Sequence, residues 1–359
     1  MQPLIQADAA GHADEAEAGS NLGASVLLNG LLFAHVWGHM DAGDKRQLRA
    51  VGRGVRALTD GLIVSLSMHG NSAADLASAL ARWPHVQRLE ADCDAHGAVV
   101  ISAAPLAKLR VLVLYKCTVA KSEEWSMLAL SRTAAAGLQE LHVSTSSHFQ
   151  YSTLSIEAVR GCAELRKLSV KGCYVSDLGP LADCDHLEDL STCEHMGSNV
   201  SDLAPLGGCA KLKKLSIAGS EFSDLAPLRG CVELLYLNVG ACGRLVSLKG
   251  LQGCSKLECL DMACLTVSSL EPLSGCGQLK RLDMGYCSSV ASLAPLSACT
   301  NLTMLNMRAC TSVASVEPLT ACVQLEELST VGLAEHLRGL AALKAAMPRL
   351  RVVTQPPEI

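Results

Sequence analysis

Large aromatic side chains are scarce in this chain. Its 359 residues include only 3 Phe, 3 Trp and 5 Tyr, which make up 3% of the sequence, although 49% of the residues are hydrophobic. This composition excludes a globular core built around aromatic rings. It favours a narrow interior that is filled by aliphatic side chains.

The chain also lacks a strong excess of charge of either sign. Its formal net charge is −5 and its isoelectric point is about 6.1. Such a balance provides no broad electrostatic attraction for nucleic acid or for an anionic membrane. The short basic run of Lys211, Lys213 and Lys214 fits a solvated strand face. We therefore expect neither a nucleic-acid partner nor a membrane partner.

A long hydrophobic run is missing as well. The first 23 residues are polar and acidic, and we expect residues 1–23 to be a disordered tail. The most apolar early stretch, residues 26–37, is interrupted by Asn29, Gly30 and His35 and is too short to cross a bilayer. No segment resembles a signal peptide, so we expect the protein to remain in the compartment where it is made.

Motifs that carry catalysis are not found. The sequence has no glycine-rich phosphate loop and no Gly-x-Ser-x-Gly motif. A zinc site formed by Cys184, His186, Cys193 and His195 has suitable donor atoms. However, Cys184 belongs to a repeated column that should point inward, and the two histidines should lie at opposite edges of one repeat. We therefore predict no catalytic residue, no metal, no cofactor and no enzymatic activity.

Cysteine, in contrast, is abundant and regularly spaced. Of the 17 cysteines, eight recur at intervals of 22 to 25 residues: Cys162, Cys184, Cys209, Cys231, Cys254, Cys276, Cys299 and Cys322. A period of this length indicates a stacked solenoid whose units do not fold alone.

Each unit has the pattern Leu-x-x-Leu-x-Leu-x-x-Cys followed by Leu-x-Pro-Leu-x-x-Cys, as at residues 277–299. The alternation of apolar and polar residues predicts one short strand per unit, and the proline predicts a turn or a single helical turn. The pattern closely resembles the leucine-rich-repeat family over about residues 84–353. That resemblance implies an α/β solenoid with a curved parallel β-sheet on the concave face and turns or short helices on the convex face.

A second cysteine column follows the strands at Cys173, Cys242, Cys264, Cys287 and Cys310, with Ser220 in one unit. A serine would not be tolerated at a disulfide position, so both columns are interpreted as small buried side chains with free thiols. Free thiols predict a reducing compartment, and we expect a cytoplasmic or nuclear location.

The region before the repeats, residues 24–83, has apolar residues at helical spacing. Residues 39–60, "HMDAGDKRQLRAVGRGVRALTD", resemble the F-box, although Asn29-Gly30 replaces the usual Leu-Pro opening. In that family the module docks on the adaptor of a cullin-RING ubiquitin ligase and is often followed by leucine-rich repeats. The resemblance implies adaptor contacts by Leu31, Leu32, Val36, Leu48 and Val51. The alternative is that this region only caps the end of the solenoid.

Two units are irregular and the chain ends in a cap. Residues 193–199 should bulge from one unit, and residues 118–136 contain a helical-looking segment around Trp125. Residues 84–333 are assigned to the solenoid. Residues 334–359 are assigned to a capping helix over 334–348, a last strand and a tail.

Candidate binding residues are those that vary between repeats while the leucines are kept. Aromatic, Met and Arg side chains are enriched in protein interfaces. The predicted binding residues on the concave face are Lys167, Lys214, Tyr236, Asp261, Arg281, Asp283, Tyr286, Met304 and Arg308. We predict a protein-binding module, monomeric outside its complex, that serves as substrate-recognition subunit of a cullin-RING ubiquitin ligase. The alternative is a scaffold subunit of an intracellular assembly with no role in ubiquitin transfer.

Overall fold

A computed structural model of the chain describes residues 65–68, 86–92, 99–101, 108–117, 128–130, 137–145, 153–192, 198–333 and 337–355. The F-box-like residues Leu31, Leu32, Val36, Leu48 and Val51 lie outside the described residues, as does the predicted tail 1–23. No helix within the described part of the chain is long and apolar enough to span a membrane.

The described residues form a solenoid of parallel strands. In chain order the strands are β1 (Ser65–Met68), β2 (Arg88–Asp92), β3 (Val99–Ile101), β4 (Val111–Cys117), β5 (Leu128–Leu130), β6 (Glu140–Thr145), β7 (Lys167–Lys171), β8 (Asp189–Ser191), β9 (Lys214–Ser216), β10 (Tyr236–Asn238), β11 (Cys259–Asp261), β12 (Arg281–Asp283), β13 (Met304–Asn306), β14 (Glu327–Ser329) and β15 (Arg351–Val353). All of them except β3 and β5 belong to one 13-stranded sheet, in sequence order. The predicted parallel stack is therefore confirmed.

The leucines of the repeat form the spine of this stack. In neighbouring coils the central leucines stand directly beside one another, as Leu237, Leu260 and Leu282 do in β10 to β12. These side chains are buried, and so are the residues at the flanking leucine positions. Burial of one aliphatic side chain stabilises the fold by about 1.5–3 kcal/mol, so the repeated row of leucines is a large part of the driving force for folding.

Each strand from β6 to β13 is followed on the convex side by a short 3-10 helix. The helices are Glu157–Val159, Gly179–Leu181, Ala204–Gly208, Ala226–Gly230, Lys249–Gly253, Glu271–Gly275, Ala294–Ala298 and Glu317–Ala321. Six of them have the repeated proline in their first two positions, where the missing N–H costs no hydrogen bond. The predicted single helical turn is thus present in each of these coils.

The eight cysteines that end the units form a buried column. Seven of these thiols donate to backbone carbonyls of earlier coils, as Cys322 Sγ does to the carbonyl oxygen of Leu296 (3.3 Å) and Cys299 Sγ to that of Leu273 (3.6 Å). Burial raises the pKa of the Cys322 thiol to about 11 and that of the Cys299 thiol to about 12. All fourteen cysteines within residues 153–192 and 198–333 are free thiols.

The second cysteine column departs from the prediction at one coil. Cys173, Cys242, Cys287 and Cys310 are buried, but Cys264 is exposed. The equivalent buried position in that coil is taken by Leu265, which is 1% exposed. Cys264 instead occupies the preceding position, where the backbone is left-handed (φ 61°). The assignment of Cys264 to the buried column was therefore wrong by one residue.

Thr192 takes an aliphatic position of the repeat and is fully buried. Its hydroxyl donates to Ser198 Oγ (2.9 Å), and Ser198 Oγ donates to the carbonyl oxygen of Val175 (3.2 Å). These two hydrogen bonds satisfy the buried hydroxyl groups of Thr192 and Ser198. Of the predicted bulge at 193–199, residues 193–197 lie outside the described residues.

Two predicted helices differ from the structure. In the segment around Trp125 the described residues are the strand β5, which pairs in parallel with β3 in a separate two-stranded sheet. The C-terminal helix, here α1, covers only Leu340–Ala346, because Gly339 before it has a left-handed backbone (φ 80°). Its Leu343 is buried at the end of the solenoid, and β15 completes the large sheet as predicted.

Candidate binding face

The concave face is the side of the large sheet that carries the residues between the buried leucines. Its first row contains the residue that opens each strand and runs through Glu140, Lys167, Asp189, Lys214, Tyr236, Cys259, Arg281, Met304 and Glu327. Neighbouring parallel strands lie about 4.8 Å apart, so adjacent side chains of this row can touch. The row is therefore a continuous surface.

The N-terminal half of the first row is a ladder of alternating charges. Lys167 Nζ lies 3.3 Å from a carboxylate oxygen of Glu140. Asp189 stands between Lys167 and Lys214; burial raises its pKa, and the two lysines oppose that rise. The charges in this half are largely compensated by one another.

The C-terminal half of the row is different. Lys214 Nζ lies 5.7 Å from the centre of the Tyr236 ring, which brings a cation over the aromatic face. Beyond Tyr236, the exposed Arg281 stands between Cys259 and Met304 and has no ion-pair partner among the described residues. Met304 is 39% exposed. This half thus offers an uncompensated guanidinium between the Cys259 thiol and the apolar Met304 side chain, with the Tyr236 ring one strand beyond Cys259.

The basic residues just before β9 and β12 have ion-pair partners, in contrast to Arg281. Lys213 and Lys280 lie one position before the first row, but each is paired across the coils. Lys213 Nζ is 2.7 Å from Glu188, and Lys280 Nζ is 2.9 Å from Glu258. Neighbouring lysines are therefore neutralised, while Arg281 is left available.

The second row contains the residue two positions after each first-row residue, which ends the strands from β8 to β14, and four of its members shape the turn that follows. The side-chain oxygens of Asn238, Asp261, Asp283 and Asn306 accept the backbone N–H two residues later, at distances of 2.9 to 3.1 Å. Asn306 Nδ2 also donates to both carboxylate oxygens of Asp283, at 3.0 Å. Sequence reasoning listed Asp261 and Asp283 among the binding residues and did not predict this turn. The asparagine and aspartate side chains at a strand end are the feature that could have indicated the turn.

Burial raises the pKa of Asp261, and the nearby charge of Asp283 raises it further, while the bond from the Ala263 N–H opposes the rise. The two carboxylates stand side by side in β11 and β12. The second row therefore places two hydrogen-bond acceptors next to Arg281.

Tyr286 and Arg308 lie at the edge of the face where the strands end. Tyr286 is 50% exposed, and the Arg308 guanidinium carbon lies 5.5 Å from the centre of its ring. The Tyr286 backbone is left-handed (φ 64°), and its N–H donates to the carbonyl oxygen of Arg308 (2.6 Å). Sequence reasoning placed both residues near the binding face but did not predict this contact.

The suggested zinc ligands are not gathered in the described part of the chain. Cys184 Sγ donates to the carbonyl oxygen of Cys162, and His186 Nδ1 accepts from Lys211 Nζ (2.7 Å). Cys193 and His195 lie outside the described residues. Within the described ranges, no group of three or more His, Cys, Asp or Glu side chains could hold a metal ion.

No family model and no curated protein sequence matches the chain. Solved structures do match it. An internalin (InlF) from Listeria monocytogenes has a TM-score of 0.50 at 15% identity, covering 80% of this chain and 94% of that chain. InlJ from the same bacterium, whose functional domain includes a cysteine ladder, has a TM-score of 0.58 at 14% identity, covering 83% and 64%.

The chain has a leucine-rich-repeat fold. A third match, TLR13 in a complex with a single-stranded RNA, has a TM-score of 0.52 at 15% identity and covers 83% of this chain and 52% of that chain. Identities this low show the shared leucine-rich-repeat architecture and nothing of the ligand. What this leucine-rich-repeat chain binds has to be argued from its own concave face.

Proposed function

We propose that this chain is a protein-binding module that takes a partner protein on the C-terminal half of its concave face. The observation that supports the proposal is the division of the first row. Lys167 and its neighbours pair with one another, whereas Arg281 has no carboxylate partner among the described residues and stands beside the exposed Met304. Arg and aromatic side chains are the most frequent binding hot spots in protein interfaces.

The difference between the two halves of the first row also indicates which predicted binding residues should contribute most. Tyr236, Arg281 and Met304 are the proposed contacts of the row, because Arg281 and Met304 are exposed, Tyr236 is half-buried, and all three have the chemistry of an interface core. Lys167 is already paired with Glu140 and is expected to contribute less, since the partner would have to replace that ion pair.

The double variant Tyr236→Ala with Arg281→Ala tests the proposal. Both side chains point away from the leucine spine, so the variant is expected to fold normally and to lose partner capture by about tenfold or more. The measurement is affinity purification of the full chain from cells that express it natively, with quantitative mass spectrometry of the bound proteins. Circular dichroism during urea unfolding checks the fold.

The matched control is Lys167→Ala with Lys256→Ala, which removes one cation from the paired half and one from a pair with Glu233 (2.7 Å). This variant is expected to retain the partners of the wild-type chain. Equal capture by the wild-type chain and the Tyr236, Arg281 double variant would show that another face is used.

The more specific role that we propose is that of substrate-recognition subunit of a cullin-RING ubiquitin ligase. It is supported by the order of parts, with an F-box-like segment before the leucine-rich repeats. In this role the concave face holds the target, while Leu48 and Val51 belong to the segment that contacts the ligase adaptor.

A pull-down of the full chain with the purified adaptor tests this role. The wild-type chain is expected to retain the adaptor, and Leu48→Asp with Val51→Asp is expected to release it, because a charge in an apolar contact is strongly unfavourable. Failure of the wild-type chain to retain the adaptor would remove the ligase role. The scaffold role, with the same binding face and no ubiquitin chemistry, would then account for captured partners.

A further inference from the structure

In the coils of β7 and of β9 to β14, the turn after the strand contains one position that the fold holds in a left-handed backbone conformation. The residues at this position in the described coils are Gly172, Gly219, Ala241, Cys264, Tyr286, Ala309 and Gly332. In five of these coils the N–H of this residue donates to a carbonyl of the next coil, as Ala241 does to Ala263 (2.7 Å) and Ala309 to Val331 (2.9 Å). Contacts between coils therefore impose the conformation whatever residue is present.

Tyr286 is the residue in this series whose side chain is least suited to a left-handed backbone. Left-handed backbone is readily adopted by glycine and is unfavourable for residues with a large side chain. Glycine, alanine and cysteine fill the other six places, while Tyr286 combines φ 64° with a ring that is 50% exposed. The ring gains little from burial, so packing does not explain why it is tolerated. An unfavourable conformation that is kept without a packing benefit points to a function of the side chain.

The neighbouring coil completes a small platform. The Arg308 guanidinium lies over the Tyr286 ring at 5.5 Å and has no ion-pair partner among the described residues. Stacking holds the guanidinium in place, and its N–H groups remain free to take a carboxylate in a fork-like pair. Arg281, in the same coil as Tyr286, is also without a carboxylate among the described residues.

We propose that Tyr286 and Arg308 are the specificity-determining part of the binding face, and that they recognise an acidic side chain next to an apolar one in an extended segment of the partner protein. The carboxylate pairs with Arg308, and the apolar side chain rests on the exposed part of the Tyr286 ring. This inference rests on the proposed function and names the chemistry of the partner.

A ring beside a guanidinium also suits a stacked base and a phosphate, but the second row of the face opposes a nucleic acid. Asp261 and Asp283 stand side by side next to this platform, and the whole chain has a net charge of −5. A nucleic-acid backbone carries a negative charge at every nucleotide. A polypeptide can present one carboxylate to Arg308 and its own N–H donors to Asp261 and Asp283.

Selection from a random peptide library on the immobilised full chain tests the inference. The wild-type chain is expected to enrich peptides with Asp or Glu adjacent to a large apolar residue. Replacement of that acid by Asn or Gln in a selected peptide should weaken binding to the wild-type chain by about tenfold. Enrichment of basic peptides, no enrichment at all, or tighter binding of a single-stranded oligonucleotide at the same face would overturn the inference.

Two variants connect the selected peptides to the platform. Tyr286→Gly and Arg308→Gln should each weaken binding by about tenfold. The thermal unfolding midpoint of Tyr286→Gly should not be lower than that of the wild-type chain, because glycine suits the left-handed position. Cys264→Gly relieves the same conformation one coil earlier and should keep full binding, as should Arg229→Gln on the convex 3-10 helix Ala226–Gly230.

These results separate the inference from the proposed function. Loss of peptide binding in the Tyr236, Arg281 double variant with unchanged binding in Tyr286→Gly would leave the binding face in place and overturn the role of Tyr286. A sharp fall of the unfolding midpoint in Tyr286→Gly would also overturn it, since the ring would then be needed for folding. Unchanged binding in all of these variants would contradict both proposals.

Discussion

Single side chains in the third leucine position of the repeat decide how polar atoms are buried. Valine, isoleucine or methionine fills this position in most described coils, but Thr192 and Thr330 replace them in two. Thr192 donates to Ser198, whereas the buried hydroxyl of Thr330 has no hydrogen-bond partner among the described residues. One threonine therefore belongs to a satisfied pair, and the other leaves a polar atom unsatisfied.

Replacement of Thr330 by Val should raise the free energy of unfolding by about 1 kcal/mol, because the variant keeps the side-chain shape and removes a buried hydroxyl without a partner. Urea unfolding followed by circular dichroism measures the change. Thr192→Val is the matched control and should lower the free energy of unfolding by about 1–2 kcal/mol, since Ser198 Oγ loses the hydrogen bond that it accepts from Thr192 and keeps only the one that it donates to Val175. A loss of stability in Thr330→Val would show that its hydroxyl is hydrogen-bonded.

The residue scale also explains one error in the sequence interpretation. Cys264 seemed to continue the second cysteine column because a cysteine follows the strand in most coils. In that coil Cys264 comes two residues after Met262 and falls on the left-handed position, while Leu265, three residues after Met262, enters the buried one. The buried column cysteines come three residues after the Val or Met of the strand, as Cys242 does after Val239, so the spacing of two residues in the sequence already separated Cys264 from them.

At the scale of the elements, the 3-10 helices on the convex side set how closely the coils approach. Gly250 stands where six other coils have proline, and it is buried. A Cβ atom at this position would lie 1.8 Å from the carbonyl oxygen of Leu225 in the preceding coil. The absence of a side chain therefore allows an approach between two coils that the repeat pattern does not indicate.

The buried cysteine columns also connect the coils, and the reactivity of their thiols can be tested. Burial raises the pKa of column thiols such as Cys254 and Cys276 to about 11, so almost no thiolate exists near pH 8. In the native chain we expect iodoacetamide to modify Cys259 and Cys264, which are half-buried and exposed, before any column thiol of the described residues. Mass spectrometry of the digested protein identifies the modified sites.

Unfolding in urea is the control for this experiment, because every thiol should then react at a similar rate. Raising the pH towards 11 without unfolding should increase modification of the columns only slightly, since burial also blocks access by the reagent. Rapid modification of Cys254 or Cys276 in the native chain would contradict the buried columns.

At the scale of the whole molecule, each coil is stabilised by its two neighbours, so the last coil needs a cap. Helix α1 and strand β15 provide it. Leu343 is fully buried, Met347 is 9% exposed, and the Arg351 N–H donates to the carbonyl oxygen of Glu326 (2.8 Å). These contacts cover the apolar end that the coil of β14 would otherwise expose.

Leu343→Ala should lower the free energy of unfolding by about 2–5 kcal/mol, because it opens a cavity under the cap. The C-terminal coils should open first in this variant, so Cys322 and Cys310 should react with iodoacetamide at lower urea than Cys162 and Cys184. Lys344→Ala, at an exposed position of the same helix, is the control and should behave as the wild-type chain does. Simultaneous reaction of both ends in Leu343→Ala would show that α1 does not protect the C-terminal coils in particular.

The sequence by itself determined the solenoid, because a leucine placed at a constant interval has a lower free energy only when its neighbours bury it. The strand positions, the 3-10 turns and the buried cysteines that end the units follow from that spacing. The same spacing separated packing residues from surface residues, and it brought Tyr236, Arg281 and Met304 forward as candidates.

The tertiary structure decided which of the surface residues remain available. Glu140 is 27 residues from Lys167 in sequence, and their ion pair exists because their strands are adjacent. Arg281 has no carboxylate ion-pair partner in the described sheet. Tyr286 contacts Arg308 because their coils are adjacent. Charge compensation and backbone strain depend on distances between coils, and these distances are set by packing and not by the order of residues along the chain.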